Sequence, residues 1–435
     1  MLARVAGHPL VRGGLTIMAG VLTGNALGVL RVGLTAYLLG THSRADSLAV
    51  AMGPIDTLNS ALTNSMVFAF VPLLTACAGG ERVALFRKLT RGFLWVFSGI
   101  TLSLLLAAPW LMRALAPGLA EPYFGHAVQL LRILSLSTLF AGNAAVYWAL
   151  LYTDRRFGLA ACYQAALNVF TIAGALCLWK SLGVYAFALG YTAGAGAQLA
   201  AVYFATRRQL QATAAAPVAL RFRDILAKPA FFIVYASGLA LNVTFTRAYA
   251  THAGSGMAAA LDYCMRGVGV PMALLVSPIS NSLLPEIARL RSLARMRDAL
   301  RLIDRTVALT ALAAVGGCGF AILFRYPAIA LFFERGSFTA DSTRLVAAVF
   351  LGMAPSLVGW TLLEIMSRSL FALNRPWPPV IASTIPLLLN VTLTLRIHSH
   401  RPELIGLGSS VGLLAGFAAL FAMAHTERRR WLKQG

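Results

Sequence analysis

Apolar residues in this chain come in long unbroken runs. They do not alternate as in half-buried strands, nor do they form the narrow stripe of a soluble helix. Twelve runs predict membrane-spanning α-helices, at 15–40, 48–75, 92–115, 126–152, 159–180, 183–206, 229–251, 256–284, 306–330, 342–367, 378–396 and 404–425. A helix rising 1.5 Å per residue needs about 20 residues to cross the hydrocarbon core. The longer runs allow tilt. Gly53-Pro54 is expected to bend or break the second span. With no period-two pattern to suggest a barrel, the predicted fold class is an all-α polytopic membrane protein.

Charge adds an orientation. The net charge of +22 would suggest nucleic acid in a soluble chain. Placing the N-terminus in the cytoplasm puts 25 of the 37 Lys and Arg residues on the cytoplasmic side, nine on the other, and three inside spans. That bias predicts both termini inside and accounts for the basic excess without nucleic acid. Met1 to Gly14 reads as too short and polar for a cleaved signal. Five scattered cysteines, Cys77, Cys162, Cys177, Cys264 and Cys318, form no CxxC and read as small core residues. The basic segment Pro285 to Arg305 could be an amphipathic helix on anionic headgroups or a solvated linker.

The two halves echo each other. Arg132 precedes Trp148 and Leu150-Leu151 as Arg344 precedes Trp360 and Leu362-Leu363, at an offset of 212 residues. Leu167-Asn168-Val169 answers Leu389-Asn390-Val391, and Val71-Pro72-Leu73 answers Leu284-Pro285-Glu286. This order predicts two pseudo-symmetric six-helix lobes around a central cavity. The lobes would be residues 1–206 and 229–425, with a basic linker at 207–228 and a basic tail at 426–435. Transporters of this design hold substrate between lobes and alternate access by rocking.

Polar residues inside the spans are the functional candidates, because burying them in lipid is costly. Gly20, Gly24 and Gly28 share a helix face with Arg31, so another helix can approach closely beside a buried cation. Arg247 fits either snorkelling to the interface or a cavity role. Arg266 lies four residues after Asp262, and the two could neutralise each other. Asp46, Asp56 and Glu364 are the other acidic candidates near membrane depth. Converging arginines suit phosphate and pyrophosphate, since the planar guanidinium donates in pairs. No phosphate loop, HExxH or nucleophile elbow supports catalysis. His398 and His400 read as a solvated loop pair rather than a metal site. No cofactor is expected, and transport would draw on membrane potential, a monovalent ion or substrate supply.

Several stretches together resemble the MurJ/MviN family of lipid II flippases, in the multidrug/oligosaccharidyl-lipid/polysaccharide (MOP) exporter superfamily. They are Arg31 with Leu39-Gly40 and Asp46, Phe70 to Leu74, Leu115 to Gly118, and Arg156-Phe157 with Leu167-Asn168. Further on come Leu261 to Arg266 with Pro271, then Leu283 to Pro285. The most specific are Leu331 to Thr339 and Arg368 to Leu373. The resemblance implies a flippase moving an undecaprenyl-pyrophosphate-linked peptidoglycan precursor from the inner to the outer leaflet of the bacterial cytoplasmic membrane. It implies substrate-binding roles for Arg31, Asp46 and Arg266, and places Asn25 and Glu364 at further cavity positions; Arg247 joins the candidates from its depth in its span, not from the resemblance. The expected partners are the lipid-linked glycan, membrane lipids and cell-wall synthesis proteins, around a monomer. The departures are Val32 for a frequent aspartate, Leu58 for an arginine, Thr63 for an acidic residue, Glu364 for a lysine, and twelve spans where well-known members have fourteen. Two alternatives stay open beside the peptidoglycan precursor. One is a flippase for another polyprenyl-linked oligosaccharide. The other is an ion-coupled multidrug exporter, whose cavity would be anionic. A non-transporting scaffold is a third reading.

Overall fold

The structure is a computed structural model describing residues 9–77, 79–154, 156, 158, 163–212, 230–271, 283, 286–287, 289–291, 293, 295–397 and 401–431. Its helices are α1 (Pro9–Leu39), α2 (Ser43–Ala76), α3 (Gly79–Leu115), α4 (Tyr123–Thr153), α5 (Tyr163–Leu182), α6 (Tyr185–Ala212) and α7 (Ala230–Ala250). They continue as α8 (Met257–Pro271), α9 (Met296–Leu323), α10 (Arg325–Phe333), α11 (Ala340–Met353), α12 (Ser356–Ala372), α13 (Trp377–Ile397) and α14 (Gly406–Trp431). Over its described residues, each predicted span falls on a helix or a broken pair of helices. Among these residues eight helices are long and apolar enough to cross a membrane, or nine if α11 and α12, bent by 42°, are one span.

Three local expectations change. Of the bend or break expected at Gly53-Pro54, the break does not occur: the second span runs helical through both residues. The span predicted at 306–330 starts earlier, at Met296, and breaks at Phe324, where Arg325 Nη1 donates to the Ile322 carbonyl at 2.7 Å. Its early start absorbs half of the basic segment. Arg297 to Arg305 are the opening turns of α9, whose Leu300 and Ile303 are buried in protein while Arg301 is exposed. Outside the spans, Glu286 accepts from Arg289 at 2.6 and 2.9 Å, and this bond holds its carboxyl below the usual range.

The helices form two compact units. One comprises Met1–Leu34, Ser47–Ala114 and Ala120–Ile233; the other Thr35–Asp46, Leu115–Leu119 and Val234–Gly435. The expected first lobe, 1–206, therefore cedes two short segments to the second unit. The expected linker at 207–228 lies mostly outside the described residues, as do His398, His400, Cys162 and the end of the tail.

Both units use one packing plan. In the first, α6 packs along α5 and α4; in the second, α14 packs along α13 and α12. Glycines permit this approach. A Cβ on Gly190 of α6 would fall 2.6 Å from the Phe170 carbonyl oxygen, and one on Gly412 of α14 would fall 2.6 Å from that of Pro386. Asparagines at matching positions brace the seams. Asn168 Nδ2 donates to the Gly24 carbonyl at 2.9 Å, and Asn390 Nδ2 donates to Asn242 Oδ1 at 2.8 Å and Thr246 Oγ1 at 2.7 Å. In lipid, such close packing and interhelical hydrogen bonds hold helices together, because burying apolar surface gains little there. The core of the first unit adds rings, with Phe70 edge-on to Phe93 and Phe86 edge-on to Tyr147, each at 5.0 Å. The far side of α3 exposes Trp95, Leu102, Leu106 and Trp110, an apolar face suited to acyl chains.

Candidate functional site

The first unit buries a cation. α1 approaches α5 along its glycine stripe, where a Cβ on Gly24 would fall 3.0 Å from Gln164 Cβ and one on Gly28 would fall 3.4 Å from Asn168 Nδ2. Arg31, two turns beyond Gly24, is 6% exposed. Its Nη2 lies 3.7 Å from Asp56 Oδ2 on α2. Asp56 Oδ1 accepts from the Tyr191 hydroxyl of α6 at 2.8 Å. The pairing makes chemical sense, since an arginine at membrane depth needs a counter-charge and the carboxylate needs further donors. Asp56 has no local sequence link to Arg31, and the pair shows only once α1, α2 and α6 are assembled. Asn25, on the same helix, is half-buried, and its Nδ2 has no acceptor among the described residues.

The second unit holds two arginines on one aspartate. Arg247 Nη2 of α7 donates to Asp262 Oδ1 of α8 at 2.8 Å. Arg266 Nε lies 3.6 Å from Asp262 Oδ2, one turn along the same helix. Arg247 is therefore buried and paired, and the snorkelling alternative is set aside. The longer contact leaves Arg266 more loosely held, and its side chain is 31% exposed against 8% for Arg247. Glu364 is also committed: it accepts from Arg368 Nε at 2.6 Å and from the Tyr235 hydroxyl at 3.0 Å. The embedded charges named here balance in the first unit, whereas in the second the trio carries one surplus positive charge.

Asp46, to which the resemblance gives a substrate-binding role, is held by backbone amides of the second unit. It is 2% exposed and accepts from the backbone N–H groups of Gly256 at 2.6 Å and Ala259 at 2.8 Å. Those are orphan donors at the start of α8, so Asp46 caps that helix from a distant part of the chain. Around it, segment 35–46 is stitched into the second unit. Ser43 Oγ pairs with Ser255 Oγ at 2.8 Å, Thr41 Oγ1 with Ser342 Oγ at 2.7 Å, and the Tyr263 hydroxyl donates to the Gly40 carbonyl at 2.8 Å. The Leu331 to Thr339 motif completes this clasp. Gly336 sits at φ +61° with its Cα against the Tyr37 ring, Ser337 N–H donates to the Tyr37 carbonyl at 2.8 Å, and Phe338 is buried against Tyr263. A side chain at position 336 would be strained by its backbone and would strike Tyr37.

Among the described residues no group of three or more His, Cys, Asp or Glu side chains could hold a metal. The geometry offers fixed cations inside apolar helices, each beside a carboxylate. The sequence profile of a family described as lipid II flippase MurJ matches residues 35–434. The chain belongs to the MurJ family.

Members of this family are transporters, not enzymes. Lipid II flippase MurJ of Burkholderia cenocepacia is 26% identical over 391 residues, which span 85% of this chain and 75% of that one. A solved structure of lipid II flippase MurJ in an inward closed conformation shares the fold with a TM-score of 0.82 at 20% identity, over 94% of this chain and 87% of that one. An inward-facing multidrug-resistance MATE transporter of the MOP superfamily shares it with a TM-score of 0.79 at 14% identity, over 94% and 96%. The chain thus shares the all-helical fold of MurJ and MATE transporters.

Proposed function

We propose that this chain is a lipid II flippase. It moves an undecaprenyl-pyrophosphate-linked peptidoglycan precursor from the inner to the outer leaflet of the bacterial cytoplasmic membrane, by alternating access and with both termini cytoplasmic. Family membership supports the cargo class. The observation that carries the reading at the level of chemistry is the surplus cation of one trio in the second unit, two arginines on Asp262. A pyrophosphate supplies the missing negative charge and several acceptor oxygens, and Arg266, the looser of the two, is the group that engages it first. The protein works as a monomer without a cofactor, coupled to membrane potential or a monovalent ion. An exporter of cationic drugs would need carboxylates to spare. Asp56, Asp262 and Glu364 each lie within contact of an arginine, so this reading is not favoured.

The deciding experiment is complementation of a bacterial strain depleted of its own lipid II flippase. The wild-type chain restores growth and cell shape, and Arg266→Ala inserts normally yet fails to do so. Absence of rescue by the wild-type chain refutes the peptidoglycan cargo. Full rescue by Arg266→Ala refutes the role of the cation.

A further inference from the structure

We infer that Arg247 is a second anion-binding residue, which receives one phosphoryl group of the lipid-linked pyrophosphate while Arg266 receives the other. This rests on the flippase reading above and names how the second unit would tell pyrophosphate from monophosphate. Arg247 is only 7% exposed. One of its nitrogens, Nη2, is taken by Asp262. The other two, Nε and Nη1, are both buried and have no acceptor among the described residues. A guanidinium cannot lose its charge to escape such a position, and native proteins rarely leave so many buried donors unmet. An oxygen-rich anion is the ligand that satisfies them.

The surroundings favour that ligand. Arg247 and Arg266 touch opposite oxygens of one carboxylate, so two cations sit beside each other with a single negative charge between them. An arriving diphosphate brings two adjoining phosphoryl groups, one for each guanidinium, and removes the mutual repulsion. A monophosphate can satisfy only one. Sequence position alone does not reveal this, because Asp262 and Arg266 are one helical turn apart and look self-neutralising until Arg247 enters from α7.

The test uses the purified full-length protein in nanodiscs, with undecaprenyl pyrophosphate and undecaprenyl monophosphate as probes. Arg247→Lys keeps a positive charge for Asp262 but loses the additional donors. Its pyrophosphate affinity should drop on the order of tenfold, with little change for the monophosphate. Equal binding of both lipids by wild type and Arg247→Lys overturns the inference. A second variant, Asp262→Asn, removes the carboxylate that competes with the ligand, and should bind pyrophosphate more tightly and gain more thermal stability from it than wild type does. Weaker pyrophosphate binding by Asp262→Asn makes Arg247 a mere counter-ion and also overturns the inference. The flippase reading fails separately, if the wild-type protein binds neither lipid. Loss of binding in Arg266→Ala together with wild-type binding in Arg247→Lys sinks only the role of Arg247.

Discussion

Replacing Asp46 by alanine separates a structural role from a substrate role at a position that resemblance places in the substrate site. The carboxylate is buried and accepts two short hydrogen bonds from the first turn of α8. Its removal loses the cap, which costs about 0.5–2 kcal/mol in ordinary helices. It also strands two amide donors, each costing about 1–3 kcal/mol if water cannot reach them. Since the costs overlap, a total of about 3 kcal/mol is reasonable. At roughly 2–4 °C per kcal/mol for a unit of this size, the melting temperature should fall by about 6–12 °C. Asp46→Asn keeps one acceptor and should lose about half as much. The assay is thermal unfolding of the purified protein in nanodiscs, alongside undecaprenyl pyrophosphate binding measured well below the transition. Reduced stability with unchanged affinity is the expected result. An Asp46→Ala protein that melts like wild type but no longer binds the lipid would refute the capping argument.

Two further perturbations address packing and charge. Asp56→Ala should destabilise the first unit by about 3–5 kcal/mol, because it leaves Arg31 buried without its carboxylate. Arg31→Met in the same chain should restore most of that loss, which a double-mutant cycle by thermal or denaturant unfolding would measure. Gly190→Ala places a methyl group 2.6 Å from the Phe170 carbonyl oxygen and should cost about 1–3 kcal/mol, whereas Gly99→Ala, with nothing within 4 Å, should be neutral or slightly stabilising in the same melt.

What the sequence made legible follows from the range of the interactions involved. The spans were readable because hydropathy is a local sum. The glycine stripe ahead of Arg31 was readable because helical periodicity is also local, and Gly24 and Gly28 do face α5. The Asp262–Arg266 contact lies within one turn and could be anticipated. The interactions that decide charge balance cross between helices. Arg31 meets Asp56 from the next helix, Tyr191 reaches Asp56 from 135 residues away, and Arg247 takes the nearer oxygen of Asp262. Residue types alone could not assign these pairings. Asp46 shows the converse limit: resemblance marked the position as important, but only the geometry shows that its ligands are backbone amides. The Leu331 to Thr339 motif was likewise visible as a pattern, while its cause, a positive-φ glycine seated on Tyr37, was not.

The Asp46 cap also sets a timetable for biosynthesis. The carboxylate and the amide it receives from Gly256 are 210 residues apart. At about 5–20 residues per second, Asp46 is made roughly 10–40 seconds before the helix it will cap. Throughout that interval a carboxylate destined for burial has no amides to meet, and the end of α1 has no clasp to join. A fragment of residues 229–435 expressed alone would have the opposite defect, an α8 whose first amides stay unmet. The second half of the chain is therefore not a transferable module. Splitting the gene between its two repeats should yield a working protein only when both pieces are made in the same membrane, the first supplying its early segment to the second.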